Sequence, residues 1–127
     1  MIRRSDAGWT LVELIIIMAI IGLLATIVIP RFTTTRDKAL VATMKSDLRN
    51  LMTMEEARKV DSGTYVTSIP PTVWSPSAGV TGPSISLTAD GWTASVGHVS
   101  SPRTCVIYVG STPLAPAVNE GVPTCTP

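Results

Sequence analysis

Gly8-Trp9-Thr10-Leu11-Val12-Glu13-Leu14, continued by the apolar run Ile15 to Ile29 and closed by Pro30, decides how this chain is built. From Trp9 to Ile29 there are 21 residues and one charge, Glu13. As an α-helix rising 1.5 Å per residue, this stretch extends roughly 32 Å and matches the hydrocarbon core of a bilayer. Arg3 and Arg4 precede the run, and Arg31, Arg36 and Lys38 follow it, so counting charge on the two flanks leaves orientation open. A conventional secretory signal would close on small residues at its cleavage site, whereas this run closes on Ile27-Val28-Ile29-Pro30. Such a signal would also lack a carboxylate inside the run, because an ionised Glu near the membrane interior is costly and is kept where it has a function. Glu13 therefore needs a partner.

Outward from this stretch the composition changes. The whole chain of 127 residues is one domain's worth of sequence, too short for a large multi-domain enzyme. Its mean hydropathy of +0.35 averages an apolar N-terminal third with residues 62 to 127, which are rich in Ser, Thr, Gly and Pro. Ten basic against nine acidic side chains leave a net charge of +1, and no electrostatic footprint for nucleic acid is present. The two cysteines, Cys105 and Cys125, both lie far from the apolar run. Paired, they tie down a small loop-rich domain and place it in an oxidising compartment, outside the cytoplasm; unpaired, they are two buried thiols.

After Pro30 the apolar period becomes helical and one-sided. Leu40, Met44, Leu48, Leu51 and Met52 recur three and four residues apart, with Lys45, Asp47, Arg49, Glu55 and Arg58 assigned to other faces. This amphipathic helix is expected to stop near Asp61-Ser62-Gly63, with Gly63 in the left-handed position after the helix end. Residues 63 to 83, with Pro70, Pro71, Pro76 and Pro83, read as an irregular loop. Strands are expected at Ser84 to Ala89, Trp92 to His98 and Thr104 to Val109. Asp90-Gly91 and the Ser100-Ser101-Pro102 cluster supply the turns between them. Trp92, Ala94 and Val96 share one strand face, and Cys105, Ile107 and Val109 alternate against Val106 and Tyr108. Such a sheet buries one face only by covering the helix stripe, which gives an α+β fold. A pairing of Cys125 with Cys105 would return the Pro-rich tail, 111 to 127, to the last strand.

The N-terminal residues resemble the signature of type IV pilins and the related pseudopilins: a short basic leader ending in Gly8, Thr10-Leu11-Val12-Glu13, and a long apolar helix reaching Pro30. Counted from Trp9, Glu13 is fifth and Pro30 twenty-second. The resemblance is good over residues 1 to about 60, including Ser46 to Leu51, and loose beyond Gly63; Trp9 departs from the usual Phe or Met. It implies a leader over 1–8, a transmembrane and assembly helix over 9–29, an amphipathic helix over 30–62, and a loop and antiparallel sheet with a tied tail over 63–127. A prepilin peptidase would cut between Gly8 and Trp9 and methylate the new amine, with Glu13 assisting methylation and assembly. Physics supports the last role independently, since an amine and a carboxylate in a dry filament core are each tolerated only if the other compensates. Gly22 and Pro30 mark where the helix is expected to bend or melt, although Gly22 also suits close helix packing. Implied partners are the peptidase, identical or related subunits, the assembly machinery of the inner membrane and, before assembly, lipid. The subunit would sit in the inner membrane and afterwards in an extracellular filament.

Other chemistries find little footing in the residues. No catalytic set, metal site or cofactor is expected: His98 is single, with no second His or Cys at ligand spacing. No glycine-flanked serine or phosphate-binding glycine pattern occurs. Two classes remain, a filament subunit of a type IV pilus or of a type II secretion system, and a single-span anchored binding or enzymatic domain. Within the first, the cysteine pair leans toward a pilin. Aromatic residues are only 5% of the chain and widely spaced, so a filament built from it should be insulating, which conductance of purified filaments would test.

Overall fold

The computed structural model describes residues 8–127; the expected leader, with Arg3 and Arg4, lies outside the described residues except for Gly8. The chain divides into two compact units, one ending at Arg36 and the other running from Asp37 to Pro127. A single helix, α1 (Leu11–Ser62), contributes to both. In the first unit the helix is continuous through positions 22 and 30, so this isolated chain is neither melted nor broken there. Its apolar side chains, from Leu11 through Ile29, lie on the surface.

In the second unit, α1 presents Met44, Leu48 and Leu51, all with no exposed surface, to a four-stranded antiparallel sheet. Its strands are β1 (Val80–Leu87), β2 (Trp92–His98), β3 (Ser101–Val109) and β4 (Thr124–Cys125), in that spatial order. Val80, Ile85, Trp92, Ala94, Val96, Cys105 and Ile107 complete the core against the helix. The period-2 pattern of β2 accordingly points Trp92, Ala94 and Val96 inward, as expected. Gly63 ends the helix at φ 75°, its N–H donating to the Lys59 carbonyl at 2.9 Å.

Four details depart from the sequence reading. Asp47 and Glu55, assigned to the solvent faces, are both buried. Glu55 stands four residues after Leu51 and seven after Leu48, so helical spacing puts it on the core stripe whatever its charge. The loop expected over 63 to 83 ends earlier, because β1 begins at Val80. A register shift between Thr81 and Ser84 absorbs Gly82-Pro83, and β1 is an edge strand, where a missing N–H is tolerated. The second turn falls at Val99-Ser100, so Ser101 and Pro102 already belong to β3. Finally, β3 is buried on both faces: Val106 and Tyr108 form a second small core with Ala117 and Leu114 of the tail.

The Asp90-Gly91 turn is present, with the Thr88 N–H donating to the Gly91 carbonyl at 2.9 Å. Glycine is required there for space, since a Cβ on Gly91 would collide with the Val109 carbonyl. The two buried carboxylates hold the connection between α1 and β1. Asp47 accepts from both the N–H and the hydroxyl of Ser77, each at 2.8 Å. Glu55 accepts the Val66 N–H at 3.1 Å through Oε2, while Oε1 has no protein partner.

Burial raises the Glu55 carboxyl above its ordinary 4.5, opposed by the Val66 N–H and Arg58 and reinforced by Glu56. The folded state therefore keeps this proton at a pH where the unfolded chain has lost it. Its contribution to stability is present below about 4.5 and is lost as pH rises through the folded value. The melting temperature of the full chain in detergent should fall over that interval, and Glu55→Gln should flatten the fall. An unchanged pH profile in Glu55→Gln would assign the dependence to other groups.

Candidate functional site

The residues singled out for processing and assembly lie where the chain enters α1. Gly8 is exposed, and among the described residues a Cβ added to it would meet nothing within 4 Å. Trp9 is 74% exposed. Thr10 is the last residue before the helix and caps it. Its hydroxyl oxygen accepts the Glu13 N–H at 3.2 Å, and Glu13 Oε2 accepts the Thr10 N–H at 2.8 Å and the Thr10 hydroxyl at 2.9 Å. This reciprocal arrangement is a capping box, which satisfies two of the amides that a helix N-terminus leaves without intrahelical partners. Glu13 thus already has a partner inside its own chain, at the end of the helix where the macrodipole favours a negative charge. The sequence reading missed this, although Thr-x-x-Glu ahead of an apolar run is its signal.

Beyond Glu13 the helix offers surface and no chemistry. It is long and apolar enough to cross a membrane, and none of its most apolar 18-residue window is buried within the chain. A Cβ on Gly22 would likewise meet nothing within 4 Å, so the notch there is open to another helix. So much exposed hydrocarbon is stable only in lipid or against other apolar helices.

In the second unit the tail is fastened by a disulfide and by hydrogen bonds. Cys105 and Cys125 face each other across β3 and β4 and form a disulfide spanning 20 positions of sequence. The Tyr108 hydroxyl donates to the Val118 carbonyl at 2.8 Å, and the Gly121 N–H donates to the Tyr108 carbonyl at 2.9 Å. Glu120 accepts the Gly110 N–H, and Asp90 accepts the Ser111 N–H at 2.9 Å. That bond, with the Ser111 hydroxyl as the larger cause, draws the Asp90 carboxyl below its ordinary range. Closing a loop of this length stabilises by about 3 kcal/mol in the chain-entropy model. Cys125→Ser, or reduction of the full chain in detergent, should therefore lower its melting temperature while leaving membrane insertion unchanged. A melting temperature insensitive to reductant would show that the hydrogen bonds and the small core hold the tail by themselves.

His98 accepts the Ser100 N–H at 3.0 Å through Nδ1, which ties it into the β2–β3 turn. No cluster of His, Cys, Asp and Glu suited to a metal occurs among the described residues.

Residues 3–29 match the model of the prokaryotic N-terminal methylation motif. The type II secretion system core protein G of Pseudomonas aeruginosa is 32% identical over 63 residues, 50% of this chain and 44% of that protein. Its counterpart in Klebsiella michiganensis is 33% identical over 66 residues, 52% of this chain and 46% of that one. The type IV wide pilus major component PilA4 of Thermus thermophilus is 31% identical over 65 residues, 51% of this chain and 50% of that one. The matches span about half the length of these curated relatives. With this methylation motif leading into an exposed apolar helix, and an α+β head behind it, the chain is similar over its N-terminal half to type IV pilins and type II secretion pseudopilins.

Proposed function

We propose that this chain is a structural, non-catalytic subunit of a type IV pilus filament, cut after Gly8, methylated on Trp9 by a prepilin peptidase, and assembled through residues 9–29. The observation that carries this reading is the helix surface from Leu11 to Ile29, which no described residue buries and which bears one carboxylate at its start. Lipid covers that surface before assembly, with the C-terminal unit outside the cytoplasm, and neighbouring helices cover it afterwards. In the filament the Trp9 amine meets the Glu13 carboxylate of an adjacent subunit. Glu13 Oε2 is engaged by Thr10, and Oε1 is the atom left to receive that amine. Gly22 and Pro30 mark the stretch that loosens as subunits pack.

The second reading is a pseudopilin of a type II secretion system, favoured by the names of two relatives. Both use the same N-terminal chemistry and differ in where the filament ends. N-terminal sequencing of processed protein should begin at methylated Trp9; a start at Met1 or beyond Pro30 would favour a merely anchored domain. Electron microscopy of extracellular filaments, with the subunit identified by mass, separates pilus from pseudopilus.

A further inference from the structure

Past the apolar run, the first unit carries two exposed arginines, Arg31 and Arg36, to which the processing and assembly roles above give no part. Val28, Arg31, Phe32 and Thr35 follow one another at i, i+3, i+4 and i+7, so they share one side of α1 and line a shallow groove of about 250 Å³. Arg36 stands one turn beyond Phe32. Phe32 is 71% and Val28 46% exposed, and both arginines are exposed. The Thr35 hydroxyl is turned back onto the Arg31 carbonyl at 2.9 Å and does not compete for the guanidinium. Among the described residues no ion pair engages Arg31 or Arg36. Between Glu13 and Arg36 they are the only charges, both positive, and they sit roughly 7.5 Å apart along the axis.

In the orientation proposed above, this pair emerges on the non-cytoplasmic side. That placement runs against the basic-residue asymmetry that orients single spans, so topology does not account for it. An aromatic ring and two guanidinium groups just beyond a hydrophobic span lie at the depth of lipid headgroups. Guanidinium is the side-chain group best matched to phosphate oxygens, and Val28 with Phe32 supplies an apolar wall for the acyl chain below.

We propose that Arg31 and Arg36, above the Val28–Phe32–Thr35 face, bind the phosphate of an anionic phospholipid in the outer leaflet of the membrane and fix the depth of the unassembled subunit. This rests on the reading of residues 9–29 as a membrane span. The chemistry selected is a lipid with net negative charge; a zwitterionic lipid offers the same phosphate with its charge cancelled.

The test uses the full chain in detergent micelles doped equally with phosphatidylglycerol and phosphatidylcholine, with bound lipid counted by native mass spectrometry. Phosphatidylglycerol adducts should exceed phosphatidylcholine adducts by roughly 5-fold for each arginine engaged, since a basic residue near an anionic surface contributes about 1 kcal/mol. The excess should collapse in the double variant Arg31→Gln, Arg36→Gln and persist in Arg103→Gln, whose charge lies in β3. Equal adducts in the wild type, or an excess that survives the double variant, would overturn the proposal. So would displacement of the lipid by millimolar inorganic phosphate, which would mark a simple anion site. Alkaline extraction of membranes is the separate arm. Wild-type protein that stays in the pellet upholds the span while the lipid count decides the site; protein released to the supernatant overturns the span and the site together.

Discussion

Glu13→Val should leave the subunit inserted and processed while filaments disappear. Insertion should hold or improve, because the substitution removes the only charge between Trp9 and Ile29. Assembly should fail because the amine of Trp9 would enter a dry core with no carboxylate to compensate it, at a cost of about 3–5 kcal/mol for each such contact. The capping box complicates this variant, since valine also removes the acceptor of the Thr10 N–H, a loss of about 1 kcal/mol to the helix start. Two further variants separate the effects. Glu13→Gln keeps an oxygen for the cap and removes the charge; Thr10→Ala removes the cap hydroxyl and keeps the charge. Filaments counted by electron microscopy, normalised to processed subunit on blots, should be rare in Glu13→Gln and closer to normal in Thr10→Ala. The reverse order would make Glu13 a helix cap whose charge assembly does not need. In co-expression a minority of Glu13→Val subunits should be carried into mixed filaments, because most contacts then keep their pair.

Gly8→Val should abolish removal of the leader. Among the described residues a Cβ at this position meets no atom within 4 Å, so folding and insertion should be as in the wild type. On the processing proposed above, the obstruction would arise in the peptidase, which would have to bring the scissile backbone between Gly8 and Trp9 against its catalytic groups. Unprocessed protein should accumulate in the inner membrane, longer by the leader in intact mass, and no filaments should form. Normal cleavage in Gly8→Val would tell against the leader assignment while leaving the membrane span untouched. Gly8→Ala should be partly processed, because its single methyl adds the smallest obstruction available.

The helix of the second unit was legible because its stripe repeats every three to four residues, and β2 because Trp92, Ala94 and Val96 alternate with Thr93, Ser95 and Gly97. Gly63 announced the helix end for a local reason, as few other residues enter the left-handed region without strain. The α+β class followed from those two periods together with the single-sided stripe. Less legible were Asp47 and Glu55, which charge assigned to solvent although their spacing placed them near the stripe. They are buried because the 63–79 connection folds over them and lends its N–H groups, a fact no local pattern carries.

The sequence by itself determined the long apolar helix, the stop at Gly63, and which face of β2 turns inward. All of these depend on neighbours within about four residues, where spacing and side-chain type fix the geometry. Only the tertiary structure decided where β1 begins, how its bulge takes up Gly82-Pro83, and that Val106 and Tyr108 are roofed by Ala117 and Leu114. Those outcomes depend on pairing and coverage by segments distant in sequence. A tail without periodicity covers a strand because the Cys105–Cys125 bond and the Tyr108–Val118 hydrogen bond hold it there.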